Sequence, residues 1–223
     1  YDRYSQFALV AATEAVEDAQ LDLEKIDLER VGVVWASGIG GVQTFYDEVM
    51  GWAEGDGIPR HSPFFVPRLI TDIVAGHISI KYGLMGPNYS VTSACASSNH
   101  AMIDALNLIR WGKADVIVTG GSEAPITIDG LGGFASMHAL STRNDDPAHA
   151  SRPFDAGRDG FVIAEGAGAL VFEEYEHAKA RGAKIYCEVL GSGISSDAHH
   201  ITAPRPDGEG QMNAIRRALA NSG

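Results

Sequence analysis

The 223-residue chain is 45% apolar, carries 26 glycines and has a formal net charge of −12. That composition suits a compact globular chain with a sizeable core and excludes extended disorder, while the acidic balance disfavours nucleic acid and anionic membranes as partners. No apolar run reaches a membrane span, Tyr1-Asp-Arg-Tyr-Ser does not open a signal peptide, and two cysteines are too few for a disulfide framework. The chain therefore reads as soluble and cytoplasmic, with reduced thiols.

Tyr4 to Gln20 spaces Phe7, Val10, Ala11 and Ala15 for one apolar helix face, and Val31 to Ala36 reads as a buried strand. A glycine-rich turn, Ser37-Gly-Ile-Gly-Gly41, follows it. Thr44 to Trp52 is expected to be helical, Gly55 to Pro67 to be loop, and Arg68 to Tyr82 to be helical again until Gly83 to Pro87 ends it. Tyr89 to Ser93 reads as a strand, Ala96 to Trp111 as a helix, and Ala114 to Thr119 as a strand closed by Gly120-Gly121. Two turn-rich stretches, Ala139 to Pro147 and Ser151 to Gly160, carry fixed charge. Beyond them come the small apolar run Phe161 to Phe172, a helix over Glu173 to Arg181 closed by Gly182, an alternating strand over Ile185 to Ile194 and a last helix over Gly208 to Ala220. Strands that alternate with helices long enough to cross back over a sheet predict an α/β fold with a largely parallel, helix-covered sheet.

Cys95 stands where the β-branched stretch from Tyr89 stops and the helix pattern begins. The first turn of a helix offers unpaired N–H groups and a partial positive charge, which favour a thiolate and stabilise an oxyanion formed beside it. Cys95 is accordingly the candidate nucleophile, whereas Cys187, in alternating strand context, reads as an ordinary small core residue. His100, five residues on, is expected to turn away from Cys95 and to serve packing or surface. His199-His200 lacks the supporting ligands of a metal site and reads as structural; no metal is expected. Gly38-Ile-Gly-Gly41 misses the Gly-x-Gly-x-x-Gly spacing, so no nucleotide cofactor is expected. Arg152, Asp155, Arg158 and Asp159 read as a salt-bridged loop that fixes the sheet edge.

Six strings in one order, Ser62-Pro-Phe-Phe-Val-Pro67, Val91-Thr-Ser-Ala-Cys95, Ala139-Leu-Ser-Thr-Arg-Asn144, Ser151-Arg-Pro-Phe-Asp155, Glu173-Glu-Tyr-Glu-His-Ala-Lys179 and Ser195-Ser-Asp-Ala-His-His200, span nearly the whole chain. Together they resemble the type II β-ketoacyl-[acyl carrier protein] synthases of fatty acid elongation. The resemblance implies a thiolase-like layered αβαβα architecture, with most of the N-terminal half at 1–182 (its first strand missing) and the start of the C-terminal half at 183–223. It also implies a partial chain, with the family's two catalytic histidines, a nearby lysine and the second oxyanion loop beyond Gly223. On that reading the chain as it stands would be acylated at Cys95 without turning over, and its exposed sheet edge would favour aggregation.

The implied activity is decarboxylative Claisen condensation, an acyltransferase reaction without a cofactor. The partners would be acyl carrier protein, bearing acyl and malonyl groups on phosphopantetheine, and a second copy of the chain across Asn88 to Ser93. By position, Ile39 matches the residue at the bottom of the acyl pocket, Phe65 and Phe134 match residues lining the channel, and Thr202 matches a threonine near the pantetheine arm. Relatives often have arginine where this chain has His138, which leaves Arg68 and Arg143 as candidates for a basic docking patch. A thiolase shares the fold and the cysteine corner but acts on coenzyme A thioesters with a second cysteine. A polyketide ketosynthase is closer still, separated mainly by the surroundings of the cysteine. A polypeptide that truly ended at Gly223 would instead be a noncatalytic acyl-binding or dimerisation module.

Overall fold

In the computed structural model, which describes residues 1–223, a buried aspartate joins the first two helices. The Asp2 carboxylate caps α1 (Arg3–Ala19) by accepting from Tyr4 N, and its other oxygen accepts from the backbone N and Oγ1 of Thr44 in α2 (Val42–Ala53) at 3.1 and 2.6 Å. Between these helices runs β1 (Val31–Ala36). After α2 come α3 (Phe65–Leu69), α4 (Ile73–Tyr82), β2 (Asn88–Val91), α5 (Ser97–Arg110), β3 (Val116–Glu123), α6 (Ile128–Ser136), β4 (Gly166–Glu173), α7 (Tyr175–Ala180) and α8 (Glu209–Asn221). The chain divides into two compact units, Tyr1–His177 and Ala178–Gly223.

The first unit holds a four-stranded sheet in the order β2-β1-β3-β4, with β1 parallel to both β2 and β3, and β3 antiparallel to β4. All six residues of β1 are buried because both faces are covered. Val31, Val33 and Trp35 pack with α1 and α4, while Val34 and Ala36 pack with Ala101 and Ala105 of α5. The alternation continues into β3, where Val116 and Val118 face α1 and Ile117 faces α5. Trp35 is fully buried and donates its indole N–H to Ser122 Oγ at 3.0 Å, so its polar edge is satisfied.

Several elements depart from the sequence-based expectation. The buried stripe of α1 is Tyr4, Ala8, Ala12 and Val16, and Val10 lies 60% exposed. Close packing of a helix on a sheet selects the small alanines, whereas hydrophobic spacing gives more weight to Phe7 and Val10. The helix expected from Arg68 to Tyr82 is two helices. Pro67 sits in the first turn of α3, where its missing N–H leaves nothing unpaired, and Ile70 turns extended with its carbonyl taken by the buried Tyr4 hydroxyl at 2.6 Å. β3 runs on through Gly120-Gly121 instead of stopping there. A Cβ at Gly120 would meet the Gly168 carbonyl of β4 at 2.2 Å, so these glycines permit the β3–β4 pairing.

The charged loops bond to one another: Asp159 accepts from Ser141 Oγ at 2.7 Å, from Thr142 N at 3.0 Å and from the Arg152 guanidinium at 3.0 Å. They tie the two turn-rich stretches together, and Leu140 bridges Phe161. In the second unit, Ile185 to Ile194 forms no strand, because nothing within Ala178–Gly223 offers it a pairing edge. Gly191 and Gly193 instead lie against the backbone of α8 around Ala214, Ala218 and Ser222, and Cys187, expected in the core, is exposed.

Arg30 and Asp115 clasp the starts of β1 and β3 through two 2.6 Å hydrogen bonds, beside a 2.9 Å backbone bond from Asp115 N to the Arg30 carbonyl. Hydrogen bonds from the Arg30 guanidinium are the largest cause holding the Asp115 carboxyl below the ordinary aspartate range. A depressed folded-state value stabilises the fold above the unfolded value and stops doing so as pH falls through the folded one. Asp115→Asn should lower Tm near neutral pH, and the gap from the parent should close as pH drops below about 4. Thermal melts stepped from about pH 7 to about pH 2 check this.

Candidate active site

β1 and β2 end side by side and β3 runs two residues further, since Ala36 of β1 lies opposite both Val91 of β2 and Gly121 of β3. The C-terminal ends of parallel strands are where α/β folds collect binding groups. Here β1 delivers the turn Ser37 to Gly41, β2 delivers the corner Thr92 to Ala96, and β3 delivers Glu123. The first two are joined directly: Thr92 Oγ1 donates to the Ser37 carbonyl at 2.9 Å.

Cys95 lies in a single 3-10 turn, Ala94–Ala96, immediately ahead of α5, and is exposed. Its corner is held by backbone and serine contacts. Ser97, almost fully buried, accepts from Ser93 N at 2.8 Å and donates to the Ala94 carbonyl at 2.7 Å. Ala94 has φ of 50°, the left-handed region that costs a residue with a Cβ about 1–2 kcal/mol. Gly121 completes the arrangement, for a Cβ there would meet Ser98 Oγ at 2.1 Å, so the glycine leaves room for the Ser98 side chain at the start of α5 to rest on β3. No side chain caps α5, whose N-cap is Ala96. An exposed thiol beside that helix start can accept an acyl group, although the Ala96 and Ser97 N–H groups there are already bonded to the Ser93 and Ala94 carbonyls.

His100 does more than pack. Its Nδ1 lies 2.7 Å from Ser93 Oγ, so the ring reaches back to the corner two residues ahead of Cys95. The direction was available in principle, because helical side chains lean toward the N-terminus and His100 stands one turn into α5. Ser97 and Glu123 were also missed; a serine three residues into a predicted strand-to-helix corner is the signal that could have found the first.

Ile39 occupies the turn from β1, 44% exposed, with its N–H on Glu123 Oε2 at 3.1 Å. That carboxylate also accepts from Gly38 N, Gly40 N and Ser37 Oγ, so the N–H groups that a nucleotide phosphate would need are already taken. Phe65 opens α3, and α3 meets the same turn where Gly41 N donates to the Leu69 carbonyl at 2.9 Å. The Phe65 ring stacks on Phe45 and lies 5.0 Å from the His61 ring. Cys95, Ile39 and Phe65 thus stand on connected pieces of backbone.

The other two predicted site residues are placed differently. Phe134 lies in α6 with its ring edge-on to Phe161 at 5.3 Å. Thr202, in the second unit, donates its N–H to His200 Nδ1 at 3.2 Å, and Ala203 N does the same at 3.0 Å, which makes His200 the acceptor that closes this loop. Of the two candidate docking cations, Arg143 pairs with Asp146 at 2.8 Å, while Arg68 is half-buried. A separate cleft of about 620 Å³, lined by Asp47, Glu48, Trp52, Asp56, Arg60 and His61, does not include Cys95.

The family model for the β-ketoacyl synthase N-terminal domain matches residues 1–178, and that for the C-terminal domain matches residues 186–223. The chain belongs to the β-ketoacyl synthase family. It is 50% identical over all 223 residues to 3-oxoacyl-[acyl-carrier-protein] synthase 2 of Staphylococcus aureus, covering 55% of that protein. The mitochondrial 3-oxoacyl-[acyl-carrier-protein] synthase of Arabidopsis thaliana is 48% identical over 219 residues, which cover 97% of this chain and 47% of that one. The chain therefore spans about half the length of the curated relatives it matches.

Solved structures give the thiolase-like fold class directly. A β-ketoacyl synthase from Burkholderia phymatum superposes with a TM-score of 0.89 at 36% identity, over 99% of this chain and 53% of that one. A type II PKS acyl-carrier protein in complex with its ketosynthase bound to the hexaketide matches with a TM-score of 0.94 at 35% identity, over 99% of this chain and 55% of that one.

The serine clasp at the corner makes a direct prediction. Ser97→Ala leaves the Ser93 N–H without its acceptor, while the Ala94 carbonyl keeps the bond from the backbone N–H of residue 97, at a cost of about 1 kcal/mol. Thermal melts of the two proteins should show Tm lowered by roughly 2–4 °C per kcal/mol.

Proposed function

We propose that the complete protein is the condensing acyltransferase of fatty acid elongation, a cytoplasmic enzyme with Cys95 as its nucleophile. The observation that carries this reading is the exposed thiol at the β2–α5 corner, tied through Thr92 and Ser37 to the turn that bears Ile39. The 50% identity to 3-oxoacyl-[acyl-carrier-protein] synthase 2, against 35% to the polyketide ketosynthase, favours fatty acid over polyketide substrates.

In the first half-reaction the Cys95 sulfur attacks the acyl thioester of the carrier protein. The new S–C bond replaces the old one, and the phosphopantetheine thiol leaves with the proton that Cys95 gave up. In the second, malonyl carrier protein loses carbon dioxide, and its enolate carbon attacks the acyl-cysteine carbonyl and releases the Cys95 thiolate. The two histidines that stabilise the enolate belong, on the family resemblance, to the C-terminal part of the synthase.

Ile39 and Phe65 would line the acyl path next to the nucleophile, Phe134 its wall, and Thr202 the pantetheine arm. The partner would be acyl carrier protein. With Arg143 already paired to Asp146, the positive charge that attracts an acidic carrier would come mainly from other residues of the whole protein. A homodimer is supported by β2, an edge strand of the sheet with its outer side unpaired in the single chain.

Cys95→Ala in the complete protein should abolish acyl transfer from an acyl carrier protein to the enzyme, and condensation should fall by at least about 10⁴-fold. Intact-mass measurement of the acyl-enzyme and a 3-ketoacyl product assay check both; an acylated Cys95→Ala protein would overturn the assignment. Ile39→Phe should fill the pocket and cut kcat/KM for long acyl primers by about 10-fold or more while sparing short ones. Unchanged chain-length preference across a primer series would rule out the gate.

A further inference from the structure

Four hydrogen-bond donors of the Ser37 to Gly41 turn converge on one carboxylate, two on each oxygen. Glu123 Oε2 accepts from Gly38 N at 2.6 Å and Ile39 N at 3.1 Å, while Oε1 accepts from Ser37 Oγ at 3.0 Å and, at 3.3 Å, from Gly40 N, which is shared with Ser37 Oγ at 3.0 Å. A carboxylate has about four lone-pair sites, and all of them are used. Three successive backbone N–H groups form a concavity that binds anions, and here the anion is supplied by the protein itself.

The carboxylate's own position is set by the sheet. Glu123 ends β3 in register with Gly166 of β4, next to Ser122, which accepts the Trp35 indole N–H. The glycines record how close the approach is: a Cβ at Gly38 would lie 2.7 Å from Glu123 Oε2. On the far side of the turn, Gly41 bonds the Leu69 carbonyl, and Cβ atoms at Gly40 and Gly41 would meet the Leu69 and Arg68 carbonyls at 2.6 and 2.2 Å. The turn is therefore held between a carboxylate strut and the end of α3. Ile39 is its one residue between Gly38 and Gly41 with a side chain.

We infer that Glu123 is a positioning residue for acyl-chain selection, which fixes the Ser37 to Gly41 turn and through it the reach of Ile39. The inference rests on the proposed role of Ile39 as the gate. A carboxylate is the chemistry required, because it accepts four bonds without offering a donor. An amide in its place removes the charge from all four contacts and turns an NH2 group toward Gly40 N, whose bond to the carboxylate is lost, and toward the Ser37 hydroxyl, which must then accept instead of donate.

The test uses the complete protein in four forms: parent, Glu123→Gln, Gly38→Ala and Ile39→Ala. Gly38→Ala leaves Glu123 intact and presses on the same contact, so it stands in should Glu123→Gln fold poorly. Amide hydrogen exchange over Ser37 to Gly41 should accelerate about 10-fold or more in Glu123→Gln and Gly38→Ala, with α1 unchanged. The ratio of kcat/KM for long against short acyl primers should rise about 3- to 10-fold in all three variants, as the gate loosens or is removed. A merely structural glutamate would lower both kcat/KM values together and leave the ratio where it was. Unaltered exchange overturns the strut; accelerated exchange with an unaltered ratio overturns its link to selection. If Ile39→Ala also leaves the ratio unaltered, the gate itself is wrong, whereas a response to Ile39→Ala without one to Glu123→Gln refutes this inference alone.

Discussion

The register that sets Ala36 beside Val91 on one edge of β1 and beside Gly121 on the other decides where the groups of the candidate site stand. Because β2, β1 and β3 run parallel, β1 and β2 end level with each other and β3 two residues further on, and whatever follows each strand emerges on one rim of the sheet. A shift of one residue would turn Trp35 from the α1 side to the α5 side and part Thr92 from the Ser37 carbonyl. The register is protected by burial, since β1 has apolar residues on both faces and no solvent side to slip toward. It is protected again at the other end of the strands by the Arg30–Asp115 clasp.

Glycine at this rim serves close approach. At Gly121 the absent Cβ makes room for Ser98, at Gly38 for the Glu123 carboxylate, and at Gly41 for the Arg68 carbonyl. Each site brings a different element toward the same place: the start of α5, the end of β3 and the end of α3. The glycine-rich composition, which at first suggests loops, is thus partly a packing device inside regular structure and at its ends.

What could be read from the sequence was what depends on local pattern. β1 matches its expected bounds because six small or apolar residues buried on both sides leave no competing period, and Cys95 was placed correctly at a strand-to-helix corner. What could not be read was decided by partners distant in sequence. The break between α3 and α4 follows from a tyrosine 66 residues earlier, the α1 face from the closeness of the sheet, and the extension of β3 from its pairing with β4. Ile185 to Ile194 shows the converse, since alternation describes a strand only where an edge exists to pair with. At the site, Ile39 and Phe65 were named from resemblance and stand on the turn after β1 and on the helix bonded to it, whereas Glu123 carried no signal, because its role depends on donors 83 to 86 residues away.

The corner around Cys95 is stiff where a nucleophile benefits from stiffness. Ala94 is held in the left-handed region, which a residue with a Cβ adopts only when its surroundings impose it. Those surroundings are Ser97, bonded to both Ser93 N and the Ala94 carbonyl, and His100, bonded to the Ser93 hydroxyl. All three bonds anchor on the residues before Cys95 and leave the thiol itself exposed, so the constraint is on the backbone that aims the sulfur. A nucleophile proposed at such a corner gains from that aim, because a fixed backbone holds the sulfur at one angle of attack.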